Sequence, residues 1–301
     1  MKVAGIDIGT NTVRVIVADV QNGKIRDILY QNRAVTRLGE DLVSTNRLKE
    51  DAINRTAKVA IQFYNEALSC NVERVKCCAT SASREAENGE VFLDILKKAG
   101  LPVEVIDGKL EGELTCMGVM AGIDLFEQPS LIIDIGGGST ELIVWDGKNI
   151  HSTISYKIGV VKLADLFNYK DICSSDIFDK TKEYITSVIG DYDFGINIQN
   201  VIATAGTPTT LAAIDLKMVD YDYRKVNGYR IKKGRIEEIL TYLSSLEFEK
   251  RKEVAGLEAG REDLIIPGSL LLIFFLDKTG KEELIVSDYG LREGIAIAAS
   301  L

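Results

Sequence analysis

The chain has 301 residues, 46% of them hydrophobic and 27% charged, a balance that excludes a disordered or fibrous protein and is long enough for two domains with a core each. Acids outnumber bases, 45 to 36, for a formal net charge of −9, which argues against general nucleic-acid or membrane-surface binding, where basic stripes are expected. A polyanionic substrate would need a local basic patch. The five cysteines (Cys70, Cys77, Cys78, Cys116, Cys173) are an odd count without framework or metal spacing; they read as buried reduced thiols and point to the cytoplasm. Residues 1–5 lead straight into a strand without a signal-peptide pattern, and the apolar run 270–276 is too short to span a bilayer.

In chain order, residues 2–8 form a strand, 9–12 a turn and 13–20 a second strand, and Asn22-Gly23 signals a hairpin into a third strand over 25–34. Apolar residues at helical spacing (Ile53, Ala57, Ala60, Ile61, Tyr64, Leu68) predict a helix over 49–68. A strand over 72–79, a helix over 90–99 closed by Gly100, a strand over 103–106 and a helix over 110–121 follow. The second half opens at Pro129 with the buried strand Leu131-Ile132-Ile133-Asp134-Ile135, the turn Gly136-Gly137-Gly138-Ser139 and a second strand. A strand over 150–157, helices over 160–167 and 175–189, and a strand over 201–204 come next. That strand runs into the tight turn 205–210, which opens a helix. A loop with Tyr221, Tyr223 and Tyr229, a helix over 235–245, a long apolar helix ending near 278–280, a strand over 284–287 and a helix over 290–299 complete the chain.

An apolar strand ending in Asp and three glycines sets unshielded N–H groups beside a carboxylate, which suits a phosphate held with a divalent cation. A hairpin whose glycines merely supply positive φ is the equal alternative. The stretch has a counterpart: Ile6-Asp7-Ile8-Gly9-Thr10-Asn11-Thr12 with the Asn22-Gly23 turn is mirrored by Ile133 to Thr140 with the Asp146-Gly147 turn, Asp7 and Asp134 lying 127 residues apart. Two such copies imply a duplicated α/β domain. The expected division is 1–124, with the C-terminal helix 290–301 as a candidate addition, and 125–301.

With its two D-x-G turns, the chain resembles the exopolyphosphatase and guanosine pentaphosphate phosphatase family of the actin, Hsp70 and sugar kinase superfamily. The resemblance is carried by Asp7-Ile8-Gly9-Thr10-Asn11-Thr12-Val13-Arg14, Ala79-Thr80-Ser81-Ala82-Ser83-Arg84-Glu85-Ala86, Ile106-Asp107-Gly108-Lys109-Leu110-Glu111-Gly112, the stretch from Asp134 to Leu142, Gly159-Val160-Val161-Lys162-Leu163, Thr204-Ala205-Gly206-Thr207, Gly260-Arg261-Glu262-Asp263 and Asp288-Tyr289-Gly290-Leu291-Arg292-Glu293-Gly294, in the family's order and nearly end to end.

That resemblance implies an α/β fold of two duplicated ribonuclease-H-like, actin-like ATPase domains with an interdomain cleft, where the terminal phosphate of polyphosphate or guanosine pentaphosphate is hydrolysed. It implies Glu111 and Asp134 as catalytic residues, Glu111 as general base or water-positioner. Thr10, Asn11 and Thr12 in one turn, and Gly136, Gly137, Gly138, Ser139 and Thr140 in the other, would supply N–H and hydroxyl donors to phosphate. Arg84 would add a guanidinium fork, and Gly206 and Thr207 belong to the same set. Arg14 and Lys162 stand as phosphate contacts or as ordinary structural residues, both readings open. Asp134, with Asp7 as a second ligand, would hold Mg²⁺ or Mn²⁺. The expected partners are the phosphate substrates, no nucleic acid and no membrane, with a homodimer as an option.

The chain departs from the family at Leu110, where a first acid is usual, at Glu113, often Arg, and at Asn227, commonly His. His151, the only histidine, reads as structural, which leaves a Ser-His-Asp or zinc mechanism almost no raw material. A kinase or ATPase of the superfamily and a weakly catalytic sensor of the nucleotide alarmone are the two alternatives.

Overall fold

A computed structural model describes residues 1–123 and 127–301; the division expected between 124 and 125 lies outside the described residues. Two compact units form, one from Met1–Ala121 with Tyr289–Leu301, the other from Gly122–Asp288.

The first unit is built on β1 (Lys2–Ile8), β2 (Thr12–Gln21), β3 (Lys24–Val35), α1 (Leu42–Thr45), α2 (Glu50–Ser69), β4 (Arg74–Ala79), α3 (Ser81–Glu85), α4 (Gly89–Lys98), β5 (Val103–Val105) and α5 (Gly108–Gly122). Its sheet runs β3-β2-β1-β4-β5, with β1, β2 and β3 antiparallel and β4 and β5 parallel to β1. β1 is covered on both faces and therefore reads as an almost unbroken apolar run. β3, at the edge, alternates half-buried with exposed residues and takes two register irregularities against β2, as exposed edges often do. Along α2, Ala52, Ile53, Ala57, Ala60, Phe63 and Ala67 face inward at helical spacing, and Glu50 and Asp51 suit the positive end of its dipole. α1 and α3, each about one turn, are too short to carry a periodic signal and were not expected.

The second unit contains β6 (Ser130–Ile135), β7 (Thr140–Trp145), β8 (Ile150–Tyr156), α6 (Val160–Leu166), α7 (Ser175–Ile189), β9 (Asn200–Thr204), α8 (Gly206–Asp215), α9 (Tyr223–Val226), β10 (Arg230–Lys232), α10 (Lys233–Ser244), α11 (Phe248–Arg251), α12 (Ile265–Thr279) and β11 (Glu283–Val286). Its sheet, β10-β11-β9-β6-β7-β8, repeats the first: β6, β7 and β8 are an antiparallel meander and β9 and β11 run parallel to β6. The expected loop around Tyr223 instead contains α9 and the strand β10, which pairs with β11. α12 is buried on nearly every face, which is why its sequence is apolar all round, and Gly280 in the left-handed region (φ 63) ends it. No helix among the described residues is long and apolar enough to cross a membrane. The chain then returns to the first unit as α13 (Leu291–Ala299), packed on β1, β2 and β4.

Of the five cysteines, Cys77, Cys78 and Cys116 are buried, but Cys70 and Cys173 are only half-buried, which corrects the expectation that all are enclosed. Burial pushes the Cys78 and Cys116 thiols up to about 12, and raises Cys77 as well. Thiolate is the reactive form, so a raised value leaves it scarce at pH 8. The Cys173 thiol is raised by burial too, though it stays half-buried, so a thiol reagent at that pH should label Cys70 first, Cys173 more slowly, and the other three only on unfolding; five equivalent thiols in the native protein would contradict this.

Candidate functional site

The turn between β6 and β7 is closed by the Gly136 N–H donating to the Ser139 carbonyl at 3.0 Å. Gly9, Gly136, Gly137 and Gly138 all lie outside the positive-φ region, so the hairpin alternative does not explain them. Space does. A Cβ at Gly159 would stand 2.5 Å from the carbonyl carbon and oxygen of Gly137 and 2.6 Å from the carbonyl oxygen of Gly136. The start of α6 is pressed directly onto the turn: Val160 N–H donates to the Gly136 carbonyl (3.0 Å), and Val161 and Lys162 N–H donate to that of Gly137 (2.9 and 3.3 Å). These are the orphan amides of a helix N-terminus, used here to hold the turn's carbonyls. The amides of Gly137, Gly138 and Ser139 make no hydrogen bond with any described residue, and an N–H group without a partner in the fold needs one from water or a ligand.

The first unit repeats the device. Gly9 N–H donates to the Thr12 carbonyl at 3.0 Å; Thr36 and Arg37 N–H both donate to the Asn11 carbonyl at 2.9 Å, and Gly39 N–H to that of Thr10 at 2.9 Å. The amides of Thr10 and Asn11 are left without a described partner. In each unit the holding segment follows the third strand, β3 or β8, so the duplication extends past the hairpin. Arg37 adopts φ 49, an uncommon conformation for a side chain of its size. The side chains of Thr10, Asn11 and Thr12 are buried; what these residues offer to a ligand is mainly backbone.

The register places Asp7 opposite Arg14 and Asp134 opposite Glu141. Cross-strand partners project from the same face, and Asp7 and Arg14 form an ion pair at 3.6 Å. The second unit has two buried carboxylates at the matching positions, and Glu141 accepts a hydrogen bond from the Ser155 hydroxyl at 2.7 Å. Glu141 carried no expectation, although its seven-residue offset from Asp134, the same as Arg14 from Asp7, was visible in the sequence.

Glu111 sits in the first turn of α5, its backbone N–H bonded to the Asp107 carbonyl, while the Asp107 carboxylate caps Leu110 N–H at 2.8 Å. Arg84, on α3, donates to the Ile106 carbonyl at 2.5 Å and meets the Glu111 carboxylate at 3.3 Å. Two residues 27 positions apart are thus brought into one pair, with Glu111 6% exposed. The other expected contacts are less uniform. The Thr140 hydroxyl is fully buried and donates to the Ile158 carbonyl at 2.6 Å, so it is spent inside the fold. The Lys162 ammonium reaches the Lys157 carbonyl at 3.4 Å. Thr207 is buried, with its side chain against Gly268 of α12, and the Arg261 guanidinium covers Gly206, within 2.0 Å of where a Cβ would sit. Arg261, buried and paired with Glu258 at 2.5 Å, is a second candidate without an expected role, although it lies in one of the stretches that carry the family resemblance. His151 lies exposed on β8.

A sequence model described as the Ppx/GppA phosphatase family matches residues 16–300. The chain is 30% identical over 315 residues to "Exopolyphosphatase 2" of Mycobacterium tuberculosis, covering 99% of this chain and 98% of that protein. It is 31% identical over 300 residues to "Bifunctional 3-dehydroquinate synthase/phosphatase" of Fusobacterium nucleatum, covering 95% of this chain but only 44% of that longer protein. Among solved structures, the Aquifex aeolicus member of the Ppx/GppA family superposes with a TM-score of 0.84 at 33% identity over 99% of this chain and 97% of that one.

Proposed function

The chain belongs to the Ppx/GppA phosphatase family, and from that premise we propose that it is a phosphohydrolase releasing the terminal phosphate of inorganic polyphosphate, with guanosine pentaphosphate as a second substrate, through attack of a water activated by Glu111. The observation that carries this reading is the pair of turns whose carbonyls are held from behind and whose amides are left for an anion. Phosphoryl transfer asks a protein chiefly for positioning and charge neutralisation. The amides of Thr10, Asn11, Gly137, Gly138 and Ser139 bind phosphate oxygens; Arg84 neutralises charge beside the base; Glu111 accepts the proton of the attacking water. Glu111 and Arg84 together support this assignment because each is within reach of the other at the head of α5.

A divalent cation fits the donor set. Asp134 and Asp7 are hard, buried carboxylates, one at the head of each turn, and among the described residues no group of three or more acids, histidines or cysteines could hold a metal unaided. Mg²⁺ or Mn²⁺ held by Asp134, with Asp7 and Glu141 as further candidates, would complete its shell with phosphate oxygens and water. When bound, it would neutralise charge on the transferring phosphate. Gly206, Thr207 and Lys162 are assigned to support: Gly206 admits Arg261, Thr207 seats α8 on α12, and Lys162 N–H secures the Gly137 carbonyl.

Purified protein with Mg²⁺ or Mn²⁺ should release inorganic phosphate from polyphosphate and from guanosine pentaphosphate, with ATP run alongside. No release from either substrate would overturn the reading. ADP formation from ATP in its place would favour a kinase or ATPase.

A further inference from the structure

We propose that Asn227 is a positioning residue whose side-chain amide ties together the two points where the chain enters and leaves the second unit. Its Nδ2 donates to the carbonyl of Gly122, the last residue of α5, at 2.7 Å, and its Oδ1 accepts the N–H of Asp288 at 3.1 Å. Gly122 and Asp288 are the first and last residues of that unit. One planar group therefore spends a donor on the incoming chain and an acceptor on the outgoing chain, a combination that few side chains offer.

The surroundings keep Asn227 in place. Its backbone N–H closes α9 on the Tyr223 carbonyl at 2.8 Å, and the next residues pair with the strand that leads out: Gly228 N–H donates to the Val286 carbonyl, and Val286 N–H to that of Tyr229, both at 2.8 Å. The Asp288 carboxylate also accepts the Tyr221 hydroxyl. Inside the first unit the same two chain segments touch backbone to backbone. A Cβ at Gly118 of α5 would fall 1.8 Å from the Gly290 carbonyl oxygen, and one at Gly294 1.8 Å from that of Leu114. Incoming and outgoing chains are thus in contact with each other shortly before the crossing and share the Asn227 side chain shortly after it.

α5 connects this junction to chemistry. Glu111 lies eleven residues before Gly122 on the same helix, about 16 Å at the rise of an α-helix. Glu111 and Asp134 flank the junction in the chain, so a reaction that draws on both is sensitive to how firmly the junction is held. This last step rests on the phosphatase reading; the clamp itself does not.

Two variants and two readouts test it. In Asn227→Ala, hydrogen exchange at the Asp288 amide should accelerate by about tenfold or more, since the bond protecting it is gone, and kcat for phosphate release should fall about tenfold with KM little changed. A neutral imidazole also offers one N–H donor and one acceptor, so Asn227→His should restore both quantities at pH 8. Unchanged Asp288 exchange in Asn227→Ala overturns the clamp. Accelerated exchange with unchanged kcat overturns its role in turnover, as does failure of the His variant to recover kcat while it recovers exchange. If the wild-type protein releases no phosphate, the phosphatase reading and the turnover role that rests on it fail together, and the exchange measurement still decides the clamp.

Discussion

Glu111→Gln is expected to lower kcat by ~10²-fold or more while leaving KM and direct substrate binding nearly unchanged. The substitution is isosteric, so the first turn of α5 and its capping by Asp107 persist. What disappears is the capacity to take a proton from water. The amides proposed to hold phosphate are backbone atoms of the turns and do not depend on Glu111, and Arg84 keeps its bond to the Ile106 carbonyl. Ground-state binding therefore survives, and a loss confined to kcat is the signature of a group that acts only as the reaction proceeds. A rise in KM with kcat preserved would instead make Glu111 a holder of Arg84. Turnover equal to wild type would end the general-base assignment and favour an alarmone-binding sensor.

How much of this could be read in the sequence depended on which atoms make each contact. The central strands β1 and β6 were legible because burial on both faces demands a run of apolar residues, and α2 because one buried stripe demands a helical period. The duplicated turns were legible because each pairs an Asp with glycine at a fixed place. Their function was not decided there, since a glycine required for positive φ and one required for close approach look alike in one sequence; the backbone of Gly136 to Gly138 rules out the first. The clamps behind the turns are bonds between main-chain groups, and these leave no trace except Gly39 and Gly159. The Arg84 and Glu111 pair joins elements that only the β4 and β5 pairing brings together. Thr140 shows the opposite error. A hydroxyl beside a phosphate turn suggests a donor to the ligand, but full burial obliges it to find a partner within the fold, and the Ile158 carbonyl is that partner.

Gly159→Ala tests whether the turn must be held from behind. The residue has extended backbone (φ −153), which alanine adopts without strain, so any effect comes from the methyl group alone. That methyl would lie 2.5 Å from the Gly137 carbonyl group, and the obstacle is main chain, not the tip of a flexible side chain. Either the turn or the start of α6 must move. Both outcomes lengthen the three bonds from Val160, Val161 and Lys162 that orient the turn's carbonyls, and the amides of Gly137 and Gly138 turn with them. Loss of one preorganised backbone donor at a developing charge costs ~10²-fold or more in rate, so kcat should fall by at least that order, with a destabilisation of about 1–3 kcal/mol as expected for overpacking. Gly234 is the control: it lies in α10 with nothing within 4 Å of its Cβ position, and Gly234→Ala should leave turnover unchanged and stabilise the protein by about 0.5–1 kcal/mol. Melting temperature and phosphate release measured on both variants decide the matter. Gly159→Ala with the activity and melting temperature of wild type would mean that α6 can give way freely, and that the turn holds its shape without it.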